Sequence, residues 1–331
     1  MSECPSCGQP CAPSDAFCEA CGTELAPAVD SGTPESVVKE CLVCSADPAI
    51  EQTPEVTAEG YCTACGRKVP SGRDHAELDL GLIAGVTDRG LRHPRNEDAM
   101  ALATASDADG PVAIGVVCDG VSSSPRSDEA SLAAARAAVR TLLMAVRTGE
   151  DLEAASREAV RLAAAKLAKM SGTDGAPSAT FISAVIDSGG VTLCWLGDSR
   201  AYWLASDGTS RRLSTDDSLA QEMVTSGMLN EAQAMASPHA HVITRWLGAD
   251  ILEPEAHVER FSPPGPGVLL VCSDGLWNYL AEAEGLAARA LPSATTDPLG
   301  TAGELVKFAI DAGGIDNITV VLAPMPLRDN S

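Results

Sequence analysis

The most regular feature of the chain is a set of short apolar runs that end on, or begin from, an acid. Val112 to Val117 is followed by Cys118, then Asp119-Gly120, and Val268 to Val271 by Cys272-Ser273, then Asp274-Gly275. Leu193 to Leu196 leads into Gly197-Asp198, and Asp316-Asn317 stands directly before the run Ile318 to Ala323. Apolar runs of this length, bounded by turn residues, predict buried strands. A carboxylate at the end of a core strand is costly unless something compensates its burial, and a metal ion is the usual compensation. Four such acids, far apart in sequence, converge on one point if their strands are neighbours.

The remaining pattern is mixed. Leu82 to Val86, Phe181 to Ile186 and Ala201 to Leu204 read as further strands, with a hairpin turn at Gly189-Gly190 and another turn at Asp207-Gly208. Ser127 to Arg147 and Asp151 to Met170 are Ala-rich with apolar positions three and four apart, which predicts two amphipathic packing helices. Ser214 to Asp250 reads as a partly helical insertion, and Gly303 to Ala312 as a last helix. Helix pairs with antiparallel hairpins, rather than βαβ alternation, predict an α+β sandwich.

Composition narrows the setting. Apolar residues make up 45% of 331, but aromatics only 3%, so Ala, Val and Leu must fill the core. The net charge of -23 argues against nucleic acid and anionic membranes as partners. No apolar run reaches the length of a membrane span. The opening residues Met1 to Pro5 lack a basic and apolar leader, so no signal peptide is expected. A cytoplasmic, reducing setting follows, in which the 12 cysteines are expected to bind metal rather than form disulfides.

Eight of those cysteines form two repeats of paired CxxC knuckles. Cys4, Cys7, Cys18 and Cys21 make the first, and Cys41, Cys44, Cys62 and Cys65 the second. Four thiolates suit tetrahedral Zn²⁺ and leave no open position, so about two structural zinc ions per chain are expected. Cys11 reads as a loop thiol. The expected organisation is zinc ribbon 1 over 1–25, a linker over 26–40, zinc ribbon 2 over 41–70, a connector over 71–77, and one large domain over 78–326. The ribbons are expected to dock a protein partner.

Other features have plain readings. Asp216 and Asp217 read as caps of a helix beginning near Ser218, and His239 and His241 as surface residues. Cys118, Cys194 and Cys272 read as buried structural thiols. Cys194 and Arg200 match the Cys-x5-Arg spacing of cysteine-dependent phosphatases, but that chemistry needs a thiolate at a helix N-terminus, and Cys194 lies within an apolar strand. Arg92, His93 and Arg95, in the turn-rich stretch Thr87 to Asp98, form a candidate anion site beside a metal.

Together these residues resemble the metal-dependent protein phosphatase family, the protein phosphatase 2C type. The resemblance rests on an ordered set covering roughly Leu78 to Ala323. It runs through Asn96-Glu97-Asp98, Cys118-Asp119-Gly120, Ser178-Ala-Thr180, Gly197-Asp198-Ser199-Arg200 and Leu213-Ser-Thr-Asp216-Asp-Ser218. It continues through Val242-Ile-Thr-Arg245-Trp-Leu-Gly248, Ser273-Asp274-Gly275-Leu276-Trp277 and Asp316-Asn317-Ile-Thr319. The resemblance implies a four-layer α-β-β-α sandwich of two antiparallel sheets and hydrolysis of phosphoserine or phosphothreonine by a metal-bridging water. It implies two or three Mn²⁺ or Mg²⁺ ions. Asp119 would bridge two of them, the Gly120 carbonyl would bind one, Asp274 and Asp316 would complete the first shell, and Asp198 would hold a third ion with Asp274. Glu97 and Asp98 would act through metal-bound water. Phosphoproteins and serine/threonine kinase signalling proteins are the implied partners.

The chain departs from that pattern at three places. His93 stands where the family usually carries a phosphate-gripping arginine, Ser122 and Ser123 where two glycines often follow Asp-Gly, and Val121 where some members place a histidine. The first departure supports a second reading, a weakly active or inactive pseudophosphatase that serves as a phosphoprotein-binding adaptor.

Overall fold

The computed structural model describes residues 62–64 and 72–327, apart from 174, 238, 249–250 and 252–253, together with the backbone of 2–3, 10–11 and 29–30. Seven of the eight ribbon cysteines, Cys4, Cys7, Cys18, Cys21, Cys41, Cys44 and Cys65, lie outside the described residues; Cys62 is buried.

Two six-stranded antiparallel sheets carry the fold. In chain order the strands are β1 (Ser2–Glu3), β2 (Pro10–Cys11), β3 (Val29–Asp30), β4 (His75–Asp79), β5 (Ala84–Asp88), β6 (Asp98–Asp107), β7 (Gly110–Asp119) and β8 (Ser178–Ala179). They continue with β9 (Phe181–Asp187), β10 (Gly190–Leu196), β11 (Arg200–Leu204), β12 (Arg211–Arg212), β13 (Leu247–Gly248), β14 (His257–Phe261), β15 (Gly267–Cys272) and β16 (Ile318–Met325). The first sheet runs β14-β10-β9-β7-β6-β3 and the second β12-β11-β15-β16-β5-β4. β3 falls within the span expected to be linker, and β4 begins within the expected connector.

The helices are α1 (Ser127–Thr148), α2 (Leu152–Ala168), α3 (Leu219–Thr225), α4 (Glu231–Met235), α5 (Asp274–Trp277), α6 (Ala283–Ala290) and α7 (Pro298–Ala312). Three buried clusters hold the layers together. Ala99, Ala101, Val112, Ile114 and Val116 on β6 and β7 pack under the alanine faces of α1 and α2. Met100, Leu102, Ala113, Val117, Trp195, Trp203 and Val321 fill the space between the sheets. Tyr202, Leu270, Val320 and Leu322 pack under α5, α6 and α7. Successive residues of β6 and β7 thus enter different clusters. Both faces are buried over 99–103 of β6 and 112–118 of β7, which explains why those stretches are continuously apolar. Alanine-rich helices approach a sheet closely, and this offsets the shortage of aromatics.

Local signals set the helix ends. The Asp151 carboxylate accepts from Ala154 N–H at 2.8 Å as the cap of α2, and Gly149 ends α1 in the left-handed region at φ 69°. The four-layer arrangement agrees with the sandwich expected from sequence. Among the described residues no helix is long and apolar enough to cross a membrane.

Candidate active site and metal centre

β6 and β7 deliver the first two acids. Their register sets Asp98 opposite Asp119. The chain then passes through Gly120, whose N–H donates to the Glu97 carbonyl at 3.0 Å. A Cβ on Gly120 would stand 2.5 Å from the Ser127 carbonyl oxygen and 2.7 Å from that of Glu97, so only glycine fits. The Ser178-Ala179-Thr180 stretch serves this strand end. Thr180 N–H donates to the Asp119 carbonyl at 2.7 Å, and the Thr180 hydroxyl accepts from Asp119 N–H at 3.0 Å. Ser199 holds that hydroxyl at 2.9 Å.

The second sheet supplies the opposing acids. Asp274 opens α5 just beyond β15, and Asp316 precedes β16. A Cβ on Gly275 would collide with the Asn317 carbonyl, so the second Asp-Gly step needs its glycine for the same reason as the first. Asn317 ties the sheets together. Its Oδ1 accepts from Glu97 N–H at 2.7 Å, and its Nδ2 donates to the Arg89 and Arg95 carbonyls at 2.8 and 3.1 Å.

The carboxylates are oriented by hydroxyl and amide donors. Oδ2 of Asp98 accepts from Ser273 at 2.7 Å and Thr319 at 2.8 Å, while its buried Oδ1 has no hydrogen-bond donor. Oδ2 of Asp274 accepts from Asn278 Nδ2 at 3.2 Å, and its Oδ1 is likewise buried without a donor. Glu97 has both oxygens occupied, Oε2 by Ser122 at 2.5 Å and Oε1 by Ser127 at 2.7 Å.

The electrostatics follow from burying so many acids together. Burial, then the charges of Asp98, Asp274, Asp316 and Asp198, pushes Asp119 well above the usual carboxylate range. Burial and then Asp198 and Asp316 do the same to Asp274. Burial pushes Asp98 up to about 7, against the Ser273 and Thr319 hydroxyls and with the Asp316 charge adding. Asp198 is pushed up to about 7 by burial and by Asp216, with Arg200 opposing. Asp98, Asp119, Asp198 and Asp274 are thus all raised, each with the Asp316 charge among the causes, and share one charged neighbourhood.

Among the described residues no three His, Cys, Asp or Glu side chains are gathered tightly enough to enclose an ion unaided. Shells for Mg²⁺ or Mn²⁺ draw in addition on carbonyl oxygen and water. The donor chemistry fits a hard divalent cation: all the donors are oxygens, they repel one another without a cation, and two buried carboxylate oxygens have no donor.

The basic residues divide. His93 Nε2 is 3.2 Å from Asp316 Oδ1, and its Nδ1 is 3.7 Å from Glu97 Oε2. Arg95 reaches Asp128 at 3.2 Å and Glu97 at 3.7 Å. Arg92 is exposed and makes no ion pair with the described residues.

Asp216 and Asp217 do not cap α3; the Ser218 side chain does, accepting from Gln221 N–H. Asp216 instead forms a buried ion pair with Arg200, with Nη2 to Oδ2 at 2.6 Å and Nε to Oδ1 at 3.0 Å. Asp217 accepts from Gly197 N–H at 3.1 Å and lies 2.9 Å from His257 Nε2 and 3.3 Å from Arg245 Nη1, bracing the turn that presents Asp198. The signal that could have revealed this role is Arg200 itself, a charged residue at the head of an apolar strand just beyond Asp198. Cys194 is buried on β10 with its thiol pushed up to about 12 by burial, so the Cys-x5-Arg match carries no nucleophile.

The likeness to known proteins agrees with this geometry. Residues 91–307 match the family described as Protein phosphatase 2C. The Serine/threonine phosphatase stp of Listeria innocua is 30% identical over 247 residues, which cover 71% of this chain and 92% of that protein. The solved PPM Ser-Thr phosphatase MsPP from Mycobacterium smegmatis, in complex with cacodylate, is 28% identical with a TM-score of 0.57, over 74% of this chain and 99% of its own. The catalytic domain of the phosphatase PstP in complex with 2 manganese ions is 26% identical with a TM-score of 0.57, over 73% of this chain and 96% of its own. With the strand-end acids, the two glycine steps and the two-sheet frame all in that order, the chain belongs to the protein phosphatase 2C family.

Proposed function

We propose that this chain is a metal-dependent protein phosphatase that hydrolyses phosphoserine and phosphothreonine in protein substrates. Asp119, the Gly120 carbonyl, Asp274 and Asp316 would hold two Mn²⁺ or Mg²⁺ ions, and Asp198 a third with Asp274. Such ions, when bound, supply Lewis acidity, lower the pKa of water and neutralise charge on a transferring phosphoryl group. The observation that carries the reading is the pair of donorless buried oxygens, Asp98 Oδ1 and Asp274 Oδ1, among acids that raise one another's pKa.

The chain's own residues divide the remaining work. Asp98, held by Ser273 and Thr319, presents its open Oδ1 as a proton acceptor for a water. Glu97 is fixed beside it by two serine hydroxyls. Arg92 is the cation left to meet substrate phosphate, because Arg95 is engaged by Asp128 and Glu97, and His93 by Asp316 and Glu97. The adaptor reading draws on His93 alone, whereas every proposed donor position holds an oxygen ligand.

The finer parts belong to the same proposal. The repeated CxxC spacing supports two zinc ribbons that dock a protein partner, in a cytoplasmic setting in serine/threonine kinase signalling. The deciding assay is release of phosphate from a phosphothreonine peptide with Mn²⁺. Turnover that disappears in Asp119→Ala and Asp274→Ala supports the enzyme. Tight peptide binding without turnover would establish the adaptor instead.

A further inference from the structure

Ser122 and Ser127 stand at opposite ends of the turn between β7 and α1, and their hydroxyls converge on one carboxylate. Ser122 Oγ donates to Glu97 Oε2 at 2.5 Å and Ser127 Oγ to Oε1 at 2.7 Å. The turn that joins them is held firmly. Ser124 N–H donates to the Val121 carbonyl at 2.8 Å, and Val121 N–H to the Ser178 carbonyl at 3.0 Å. Arg126 occupies the left-handed region at φ 52°, a costly conformation for a residue with a side chain, and its guanidinium reaches the Met170 carbonyl. A backbone held this way brings two hydroxyls to Glu97 at a fixed separation.

The arrangement mirrors the one on Asp98, where Ser273 and Thr319 act, but with a difference. There both donors share one oxygen and leave the other open. On Glu97 each oxygen takes one donor, so the carboxylate plane itself is fixed. The Glu97 backbone is fixed too, through its carbonyl to Gly120 N–H and its N–H to Asn317. Ser122 occupies one of the positions where the resemblance implies glycine, which has no hydroxyl to give.

We propose that Ser122 and Ser127 are positioning residues that fix the Glu97 carboxylate and thereby set the affinity of the acidic site for its divalent cation. The inference rests on the metal-dependent reading above. Loss of a hydrogen-bond partner of a metal ligand weakens binding by about 10- to 100-fold, and Glu97, acting through metal-bound water, is placed at the low end of that range.

The test is Mn²⁺ binding to the full chain without substrate, read as free Mn²⁺ by electron paramagnetic resonance. Ser122→Ala and Ser127→Ala are expected to raise the Mn²⁺ dissociation constant about tenfold or more. Ser122→Thr, which keeps the hydroxyl, and Ser123→Ala, at an exposed neighbour, are expected to match the unaltered protein. Ser122 is exposed, so its variant keeps the test valid even if Ser127→Ala does not fold. Unchanged Mn²⁺ affinity in Ser122→Ala, or an equal loss in Ser123→Ala, would overturn the proposal while leaving the phosphatase reading intact. Failure of the unaltered protein to bind Mn²⁺ would remove that reading and this inference with it.

Discussion

Asp98 and Asp119 face each other across two hydrogen-bonded antiparallel strands, at the end where both strands leave the core. Two carboxylates in direct opposition cannot both ionise cheaply, and burial adds to the penalty. Burial and then the Asp98 charge push Asp119 well above its usual range, whereas Asp98 is pushed up to about 7 by burial and the Asp316 charge, against its contact with Asp119. The fold therefore holds these acids in place at a cost to its own metal-free stability, a pattern expected where function has overridden stability.

That cost predicts opposite effects of one substitution. Asp119→Asn removes a like charge from a crowded site while nearly keeping its shape. The metal-free protein should gain stability, read as a rise in Tm, because the burial and like-charge penalty on Asp119 is removed. Mn²⁺-dependent turnover should fall to background. Differential scanning calorimetry and phosphopeptide hydrolysis on the same sample check both halves. A variant that is less stable and still active would refute the account.

Metal binding should expel protons near neutrality. Asp98 and Asp198 have folded values of about 7 against an unfolded value of 3.8. A folded pKa above the unfolded one favours the fold below about pH 4, and the advantage is lost as pH rises through about 7. The metal-free Tm should thus decline from pH 5 to pH 8, and saturating Mn²⁺ should reverse the decline. Calorimetric titration at pH 6.5 in buffers of different ionisation heat should show protons released on binding. Equal heats in all buffers would contradict the assignment.

His75 offers a further titration at a side chain that bonds none of the proposed ligands. Its Nδ1 lies 2.7 Å from Asp88 and its Nε2 3.1 Å from Glu77. The hydrogen bond to Asp88, against desolvation and with help from Glu77, raises its pKa from 6.5 to about 9. The stabilisation is complete below about pH 6.5 and disappears as pH rises through 9. Half the side chain is exposed, so the contribution should stay under about 1 kcal/mol. His75→Asn should lower Tm slightly at pH 6 and leave it unchanged at pH 10, and the imidazole proton shifts should titrate near 9 by NMR.

The acids at strand ends are legible in the sequence because an apolar run that stops on Asp-Gly leaves a carboxylate where burial is costly, and the cost itself points to a cation. β6 is not legible in this way. Its residues Asp98–Asp107 are mostly Ala, Ser and Thr, and its outer half is largely exposed, so neither a helical nor an alternating period stands out. Only pairing with β7 makes it a strand, and that pairing sets Asp98 opposite Asp119. Asp216 misleads for a related reason. Two aspartates before a serine look like helix-capping residues, and nothing local reveals that Arg200, 16 residues earlier, is folded back against Asp216.

That arginine supports the last prediction. Arg200 and Asp216 are both buried, joined at 2.6 Å, and the guanidinium lies 3.6 Å over the Trp277 ring. Trp277 Nε1 in turn donates to the Asp198 carbonyl at 2.9 Å, so the ion pair supports the turn that presents Asp198. Burial opposes the Arg200 charge, but Asp216 more than offsets it and holds the guanidinium above its usual value. Removing one partner strands the other charge in a low-dielectric interior, which typically costs about 3–5 kcal/mol. Replacing both with apolar residues avoids that penalty. Asp216→Ala should therefore shift the urea midpoint strongly downward, and Arg200→Met with Asp216→Leu should recover much of the loss. Asp216→Ala also removes a charge that raises Asp198, so fewer protons should leave on Mn²⁺ binding at pH 6.5. A urea midpoint for Asp216→Ala within experimental error of the unaltered protein would show that the pair is not structural.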